Sequence, residues 1–352
     1  MSSPIRVSVL DQSPIAEGST GAQALRNTID LARLADDLGY HRYWVAEHHG
    51  GPMLAGASPE VLIGPIAAAT TRLRVGSGGV MLPHYSPLKV AESFTMLAGL
   101  FPGRIDLGLG RAAGTDPLTT FALQPDRRQA SVDDFPQQLA ELLAYLDDSL
   151  PADHPFHRLG ATIPGRPERP EPWLLGSSPQ SALWAGQLGL PYAFADFINR
   201  EGAEIAASYR AGFARHQQHG GHRTAVATWA IAADTEEEAR RLAASSRMSF
   251  IKLRRGELIP VPTPETAIEF LATQPPSASA SPNRRAIVGT PEMVRDGVLE
   301  VVEAYGADEA IIVTITHDHE ARRHSYELIA AAFELDARSD GIAELANVAE
   351  AG

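Results

Sequence analysis

The chain has 352 residues, 44% hydrophobic and 21% charged, which is an ordinary composition for a globular protein with a sizeable core. Its net charge of −13 argues against nucleic acid and against an anionic membrane surface as partners, because both attract clustered lysine and arginine. The absence of cysteine excludes disulfides and thiolate catalysis, and the lack of a signal peptide or of an apolar run of about 18 residues predicts a cytoplasmic protein.

Short apolar strands alternate with amphipathic helices along most of the chain. Strands are predicted over residues 6–10, 43–47, 73–76, 105–109, 173–175, 192–195, 224–232 and 309–314. Helices are predicted over residues 22–38, 59–70, 88–100, 126–147, 179–187, 200–216, 236–254, 291–305 and 320–335. Gly39 supplies a stop for the first helix, and Ser58 followed by Pro59 supplies a start for the second.

Two segments interrupt this alternation. Residues 150–171 are rich in proline and glycine and contain no helical pattern, so they are predicted to form an inserted loop. Residues 255–286 form a second break, which includes the low-complexity run PPSASASP. We therefore predict a single domain over residues 1–336, followed by an acidic C-terminal tail over residues 337–352.

Eight strands that alternate with helices imply parallel strands joined by right-handed crossovers. A closed barrel and an open doubly wound sheet both satisfy this pattern. The count of eight favours a (β/α)8 TIM barrel with inserted loops, and the turn after the first strand, Asp11-Gln12-Ser13-Pro14, lacks the glycine-rich pattern of a dinucleotide site. In such a barrel the active site is built from the loops that follow the strands. The two inserted segments, residues 150–171 and 255–286, are expected to cover that site and to exclude water.

The second predicted strand ends in Glu47-His48-His49. Neighbouring residues of a strand point in opposite directions, so one histidine is expected to face a ligand and to act as an acid–base group. The alternative is a pair of loop histidines bonded to the backbone. A metal held by Glu47 and a histidine is a third interpretation, but no further ligand spacing accompanies it, so we predict no metal.

Glycines and a cation follow the third and fourth predicted strands. Gly78 and Gly79 allow a flat ligand to approach bare backbone, although an ordinary bulge or turn explains them as well. Arg111 lies in a glycine-rich loop and suits a phosphate or a carboxylate. The alternative for Arg111 is a surface ion pair with Asp116.

The loop Gly176-Ser177-Ser178 follows the fifth predicted strand and precedes Pro179. Ser178 is placed to cap a helix, where free backbone N–H groups, the helix dipole and two hydroxyls form an anion site. A plain capped helix is the alternative. Two further groups of residues are weaker candidates. His317, His319 and His324 could hold a metal or could be solvated residues at a helix start. Asp11 and Gln12 could contact the polar edge of a ligand.

Four motifs, in their order and spacing, resemble the luciferase-like flavin monooxygenase family, the bacterial luciferase group. They are residues 44–49 (WVAEHH), 75–83 (VGSGGVMLP), 102–111 (PGRIDLGLGR) and 288–292 (VGTPE). The resemblance extends from residue 7 to about residue 333. Residues 108–116 are most similar to the non-luminescent, single-component oxygenases of this group, some of which serve polyketide tailoring.

The resemblance implies an FMN-dependent monooxygenase on a TIM barrel. Members take reduced FMN from a separate flavin reductase and use it with dioxygen to oxidise a small organic substrate, here of polyketide or aldehyde type. His48 matches the family's active-site histidine beside the flavin. Gly78-Gly79 matches the family's non-proline cis peptide behind the isoalloxazine ring, where small residues remove side-chain clashes.

The flavin phosphate is also assigned by the resemblance. Arg111 and Ser177 match the family's phosphate ligands, and Ser178 lies beside them at the helix start, after Gly176. This assignment agrees with the anion site that the residues themselves predict at this position.

Several departures keep alternatives open. The reactive cysteine of the luciferases is replaced by Gly110, so light emission is not implied, and an asparagine common in near relatives is His84 here. A deazaflavin-dependent dehydrogenase and a non-catalytic flavin-binding protein are the alternative functions. The family also implies a homodimer formed through helices near the early strands.

Overall fold

The computed structural model describes residues 5–111, 116–123, 134–215, 221–275 and 285–336. Within these ranges the strands are β1 (Arg6–Asp11), β2 (Arg42–Val45), β3 (Arg74–Met81), β4 (Ile105–Gly110), β5 (Glu171–Gly176), β6 (Tyr192–Ala195), β7 (Thr224–Ala232), β8 (Ala286–Gly289) and β9 (Glu309–Val313). A 3-10 turn at Leu82–His84 follows β3.

The helices of the described ranges surround the strands. They are α1 (Gly21–Leu38), α2 (Pro59–Ala69), α3 (Pro87–Leu100), α4 (Pro117–Leu123), α5 (Phe135–Asp147), α6 (His157–Gly160), α7 (Pro179–Leu188), α8 (Ala203–Arg215), α9 (Glu236–Arg254), α10 (Pro264–Ala272), α11 (Pro291–Tyr305) and α12 (His319–Ala332).

Eight strands close into a parallel barrel in the order β1-β2-β3-β4-β5-β6-β7-β9, and β9 pairs back with β1. The predicted TIM barrel is therefore confirmed. β8 lies outside this ring, because it pairs with the last residues of β7 beyond the point where β9 ends. The sheet thus contains one strand more than the sequence pattern predicts.

Most barrel strands are buried on both faces, which explains why they read as apolar runs rather than as alternating patterns. Trp44 of β2 meets Trp173 of β5 edge to face, with ring centres 5.4 Å apart. Because β2 and β5 are not neighbours in the sheet, these two rings must meet across the barrel interior. A second, larger core of aliphatic and aromatic side chains fills the space between the strands and the helices.

A buried ionic cluster closes the barrel at the amino-terminal ends of its strands. Arg42 Nη1 lies 2.6 Å from Asp106 Oδ2, and Arg42 Nε lies 2.6 Å from Glu309 Oε1. Arg74 adds a second cation to Asp106, and Ser8 donates to Glu309. Burial alone would raise the pKa of Asp106, but the two guanidinium groups outweigh it and lower that pKa to about 2.

Helix starts and stops follow the local sequence rules. Thr20, Ser178, Thr235, Thr263, Thr290 and Asp318 each accept a backbone N–H of the first turn that follows. Gly39 ends α1 with a φ of 85°, as predicted from the sequence. No helix within the described residues is long and apolar enough to cross a membrane.

The two predicted breaks need correction. Residues 255–286 contain α10, which begins at the Thr263 cap and buries Ala267 against Ala244 and Met248 of α9. The same stretch ends at the start of β8. Residues 150–171 include the single turn α6 and reach the first residue of β5. The low-complexity run obscures this pattern in the sequence, and its residues 276–284 lie outside the described ranges.

The predicted boundary of β3 differs, and two other predictions fall at least partly outside the described ranges. β3 continues to Met81, so Gly78 and Gly79 lie within the strand and not after it. The helix predicted from residue 126 is described from Phe135, because residues 124–133 lie outside the described ranges. The predicted acidic tail, residues 337–352, also lies outside them.

Removing one member of the ionic cluster is expected to destabilise the barrel. Asp106→Asn leaves Arg42 and Arg74 buried without their shared carboxylate, so the free energy of unfolding in urea should fall by about 3–5 kcal/mol. The control is Asp147→Asn, which removes a half-exposed partner of Arg169 and should cost less than about 1 kcal/mol. Equal losses in the two variants would contradict this role.

The lowered pKa of Asp106 also predicts how the effect of Asp106→Asn depends on pH. The folded-state pKa of Asp106 lies below its ordinary value of 3.8, so its stabilisation is present above about pH 4 and is lost as the pH falls towards 2. The difference in unfolding free energy between wild type and Asp106→Asn should therefore shrink over that interval.

Candidate active site

A cavity of about 550 Å³ opens at the carboxyl-terminal end of the barrel, where the predicted site residues were expected. Its lining includes side chains that follow or end four strands: Gln12 after β1, His48 after β2, Phe197 after β6 and Trp229 in β7. Ile315, which follows β9, also lines it. The cavity therefore sits where the loops of several barrel strands converge.

Three loop segments are joined by backbone hydrogen bonds beside this cavity. Ile15 donates to the carbonyl of Met53 at 2.7 Å, which connects the loop after β1 to the loop after β2. Val261 donates to the carbonyl of Ile15 at 2.8 Å, and Glu17 donates back to Val261 at 2.8 Å. Residues around Val261 thus hold the segment that carries Leu258, which lines the cavity.

Of the two segments predicted to cover the site, residues 255–286 supply lining residues and residues 150–171 do not. Gly256 and Leu258 come from the first segment. The described residues of 150–171 pack elsewhere: Gly165 lies against the backbone of Thr95 in α3, and Arg166 donates to the carbonyl of Tyr145 in α5. This part of the prediction is corrected, because α3 and α5 lie outside the barrel and not at the cavity.

His48 presents a buried imidazole to the cavity. Its backbone N–H donates to the carbonyl of Gly56 at 2.8 Å, which holds the loop in place. Its ring Nδ1 is buried and has no hydrogen-bond partner among the described residues. Burial, with a smaller effect of His49, lowers the pKa of His48 to about 4, so its ring is neutral at pH 7.

Glu47 is fully buried and positions its neighbours rather than a metal. Its carboxylate lies 2.7 Å from Nε2 of His49 and accepts from the hydroxyl of Tyr85 at 2.9 Å. It also accepts from the backbone N–H of Met81 at 2.8 Å, which joins the end of β2 to the end of β3. The ring of His49 meets His84 edge to face at 5.8 Å.

Both adjacent histidines line the cavity, contrary to the expectation that only one would. The expectation assumed that His48 and His49 continue β2, whose side chains alternate. β2 ends at Val45, so the two histidines belong to a loop and are free of that alternation.

Gly78 and Gly79 are joined by a cis peptide bond, as the family resemblance implies. Both are enclosed on the side where a Cβ would lie. A Cβ on Gly78 would stand 2.5 Å from Leu10 Cδ1, and a Cβ on Gly79 would stand 2.5 Å from Leu175 Cδ1 and 2.8 Å from the carbonyl oxygen of Gly108. Close packing in the barrel interior therefore requires glycine at both positions.

Arg111 and the loop after β5 each contact α7. The guanidinium of Arg111 lies 5.7 Å from the ring centre of Trp184 in α7. At the start of the same helix, the Ser178 hydroxyl accepts the backbone N–H of Ser181 at 3.5 Å. A Cβ on Gly176 would stand 2.2 Å from Ser181 Oγ, so glycine is needed where β5 meets this first turn.

The loop after β5 is also held by a side chain from the loop after β6. The carbonyl of Ser177 accepts from the Asn199 side chain at 3.2 Å. The Asp116 carboxylate accepts from the backbone N–H groups of Leu118 and Thr119 at the start of α4. Neither Arg111 nor Ser177 lines the 550 Å³ cavity.

Of the weaker candidates, only Gln12 lines the cavity. Asp11 is buried in an ion pair with Arg322, 2.6 Å away, and accepts from the Tyr43 hydroxyl at 2.5 Å, so it faces away from the cavity that Gln12 lines. The three histidines after β9 bond separately: His317 to a backbone carbonyl, His319 to Asp30 and His324 to Asp234. The described residues contain no cluster that could hold a metal ion.

The wall formed by α9 was not predicted from the sequence. Ser246, Ser249, Phe250 and Leu253 line the cavity from one face of this helix. Their spacing of three, four and seven residues is that of a single helical face, which is the signal that could have identified them. Apolar and small residues in that pattern more often face a protein core, which is why the pattern alone did not indicate a cavity.

A barrel with a cavity at its strand ends has the architecture of a TIM-barrel enzyme, and comparison with known proteins identifies the family. Residues 5–309 match the family model described as luciferase-like monooxygenase. The chain is 42% identical over 328 residues to a luciferase-like monooxygenase of Escherichia coli (strain K12), covering 92% of this chain and 96% of that protein. The chain therefore belongs to the luciferase-like monooxygenase family, as the sequence motifs predicted.

Two further relatives extend this assignment. The chain is 39% identical to the N-acetyl-S-alkylcysteine monooxygenase of Bacillus subtilis (strain 168), with 92% of this chain and 97% of that protein covered. The crystal structure of apo-MsnO8 superposes with a TM-score of 0.85 at 41% identity, covering 95% of this chain and 98% of that one. The prediction of a flavin-dependent oxidoreductase that incorporates oxygen is confirmed by this membership.

More distant structures share the fold. The oxygenating constituent of 3,6-diketocamphane monooxygenase from Pseudomonas putida, solved with FMN, superposes with a TM-score of 0.71 at 20% identity over 93% of this chain and 97% of that chain. An F420-dependent secondary alcohol dehydrogenase superposes with a TM-score of 0.66 at 13% identity over 94% of this chain and 99% of that chain. The same barrel thus accompanies two kinds of flavin-type cofactor in other proteins.

The environment of His48 predicts an unusually acidic imidazole. At pH 5.5 His48 should be neutral, because its pKa is lowered to about 4. His324 is the matched control: burial alone would lower its pKa, but hydrogen bonds to Asp234 and Glu327 raise it above the ordinary 6.5, so it should be protonated at that pH. NMR titration with assignments from His48→Gln and His324→Gln checks both, and a His48 transition near pH 6.5 would contradict the burial argument.

Proposed function

We propose that this protein is a monooxygenase that uses reduced FMN and dioxygen to oxidise a small organic substrate of polyketide or aldehyde type. The observation that carries the proposal is the neutral, buried imidazole of His48, a residue that lines an apolar cavity at the barrel mouth and whose Nδ1 has no hydrogen-bond partner within the described ranges. When bound, reduced FMN supplies the two electrons that let one oxygen atom of dioxygen enter the substrate while the other leaves as water.

The residues present fit the phosphate of FMN. The first turn of α7 offers backbone N–H groups and a helix dipole of the sign that favours anions. Ser177 and Ser178 add hydroxyls there, and Gly176 allows β5 to approach that turn closely. Arg111, lying over Trp184 of the same helix, supplies the cation. We assign these four residues to the phosphate.

The residues present also fit the flavin ring. Gly78, which is half-buried, and Gly79, which is buried, lie without side chains near the carboxyl-terminal end of β3, next to the strand that leads to His48. Because the space behind them is filled by Leu10 and Leu175, this backbone forms a firm surface for a flat ligand. We assign the pair to contact with the isoalloxazine ring.

His48 is proposed to move a proton at its ring nitrogens during substrate oxidation. A neutral imidazole has one nitrogen that donates and one that accepts, and a pKa near 4 keeps this form throughout the physiological range. The cover formed by the loops at Ile15, Met53 and Val261 limits access of water to this group. Water exclusion protects reactive oxygen chemistry from hydrolysis.

A deazaflavin-dependent dehydrogenase is the alternative, because a distant structure with the same barrel uses F420. In that case hydride is transferred and dioxygen has no role. A titration that compares the affinities for FMN and for the deazaflavin separates the two. A non-catalytic flavin-binding protein is a third candidate, for which cofactor binding would proceed without any turnover.

The reductase and the oligomeric state are further proposals. Reduced FMN is supplied by a separate flavin reductase, since the described residues form one barrel with a single predicted flavin site. A homodimer is supported by large apolar side chains exposed on neighbouring helices: Val61 of α2 is 67% exposed and Leu100 of α3 is 69% exposed. Sedimentation velocity of the pure protein tests this state. A cytoplasmic location stays a prediction from the sequence.

Phosphate recognition can be tested by comparing FMN with riboflavin, which lacks the phosphate. Arg111→Gln should weaken FMN binding by about 10- to 100-fold, because a charge-assisted hydrogen bond contributes about 1.5–3 kcal/mol, and should leave riboflavin binding nearly unchanged. Ser177→Ala should have a smaller effect in the same direction. Fluorescence titration measures both ligands.

The control variant for this comparison is Arg169→Gln, which removes a half-exposed arginine that pairs with Asp147. It should leave both affinities unchanged. If Arg111→Gln weakens FMN and riboflavin equally, the phosphate assignment is wrong and Arg111 acts on the stability of the loop.

The oxygenase chemistry predicts protection of the reduced flavin. Reduced FMN mixed with the protein and dioxygen should reoxidise more slowly, with later release of hydrogen peroxide, than free reduced FMN, because the covered cavity excludes water. His48→Gln should alter this time course far more than it alters FMN affinity. Immediate peroxide release, as fast as from free FMN, would count against an oxygenase, and equal losses of rate and affinity would reassign His48 to cofactor binding.

A further inference from the structure

The cavity lining is poor in positive charge. Among the described residues that line it there is no lysine and no arginine. Two cations of α9 lie nearby without being part of the described lining: Lys252 pairs with Glu257 at 2.6 Å, and exposed Arg254 lies over the ring of the lining residue Phe250. An anionic group inside this cavity would therefore lack a cationic partner from the described lining.

The charged groups that do line the cavity disfavour anions further. Hydrogen bonds from Thr119 lower the pKa of Asp116, so this carboxylate stays ionised at neutral pH. His49 lies 2.7 Å from the buried Glu47 carboxylate, so the pair presents no net positive charge to a ligand. His48 is neutral for the reason given above. None of these groups adds a net positive charge to the described lining.

The hydroxyl groups of the α9 wall are poor donors to a ligand. Ser246 donates its hydroxyl proton to the carbonyl of Ala243 at 3.0 Å, and Ser249 donates to the carbonyl of Ser245 at 3.1 Å. Their oxygens can still accept, but their protons are used by the helix backbone. Their small size instead leaves room between the helix and the strand ends.

The rest of the described surface of the cavity is largely apolar. A bound ligand would lose contact with water and gain contact with apolar side chains on most of its surface. These side chains are Met53, Leu54, Phe197, Trp229, Phe250 and Ile315. Burial of an ionised group without a partner in such surroundings costs several kcal/mol. The side chains of Gln12 and His48 remain as neutral polar members of the lining that can orient a single oxygen or sulfur atom.

We propose that the cavity selects an uncharged, largely apolar substrate that carries one hydrogen-bonding group, such as a ketone, an ester or a thioether, and that it rejects carboxylates and sulfonates. This proposal rests on the monooxygenase function proposed above, because only an enzyme has a substrate. The binding preference itself depends only on the cavity. Phosphate recognition is kept apart, at α7.

The preference can be measured with ligand pairs that differ by one charge. Calorimetry on the full-length protein, without flavin and again with saturating FMN, compares methyl 2-naphthoate with 2-naphthoate and methyl decanoate with decanoate. The esters should bind at least about tenfold more tightly than the acids. Equal binding, tighter binding of the acids, or no binding of either ester at millimolar concentration would overturn the proposal.

A charge added at the cavity should reverse this preference. Leu258 lines the cavity and is 39% exposed, so Leu258→Arg should fold and raise the affinity for each acid by about tenfold while affecting each ester much less. The matched control is Leu188→Arg, which places the same charge on the exposed carboxyl end of α7, outside the lining. An unchanged ester-to-acid ratio in Leu258→Arg would mean that the ligands bind elsewhere and would overturn the proposal.

The two proposals fail in different ways. If FMN does not bind while the flavin-free protein still prefers the esters, the monooxygenase function is wrong and the cavity preference stands. If FMN binds and its reoxidation is protected while acids and esters bind equally, the function stands and the proposed substrate class is wrong.

Discussion

The site depends on direct backbone contact between β3 and β4. A Cβ on Gly108 would stand 2.1 Å from the carbonyl oxygen of Ser77, and a Cβ on Gly76 would stand 2.5 Å from that of Asp106. The register between these strands shifts between Ser77 and Val80. Beyond that shift the chain places the N–H of Met81 on the Glu47 carboxylate, and the same carboxylate holds His49 and Tyr85. Glycine at these positions thus determines how the cavity's polar side is assembled.

Charge is divided between the two ends of the barrel. At the amino-terminal end, Arg42, Asp106 and Glu309 satisfy one another in a fully buried cluster, and their role is structural. At the carboxyl-terminal end, the buried imidazole of His48 has a nitrogen with no hydrogen-bond partner in the part of the chain that the structure describes. A buried group of this kind calls for an explanation, and the proposed function supplies one in a ligand at the strand ends. This contrast separates the end that stabilises the barrel from the end that binds ligands.

The sequence predicted the barrel because each strand and helix leaves its own local pattern, and it predicted the strand-end residues because a barrel collects them on one face. It missed α10 and β8, since a low-complexity run interrupts the alternation between them. It also assigned strand geometry to His48 and His49, which lie beyond the end of β2. The α9 wall, including Ser246 and Phe250, depends on how a distant helix packs over the mouth, and helical spacing alone does not encode that.

Polar and apolar groups are unevenly distributed around the mouth of the barrel. The cation Arg111 and the N-terminus of α7 belong to the side of β4 and β5, whereas the described cavity lining, which includes Trp229 and Ile315, comes largely from β1, β2, β6, β7, β9 and α9. A ligand that spans both sides must therefore have an anionic end and a neutral, flat end. The proposed cofactor FMN has this form, and under that proposal its neutral end borders the apolar chamber that a second molecule would enter. His48 borders that chamber, so one neutral imidazole can serve both the ring and the substrate without adding a charge to either.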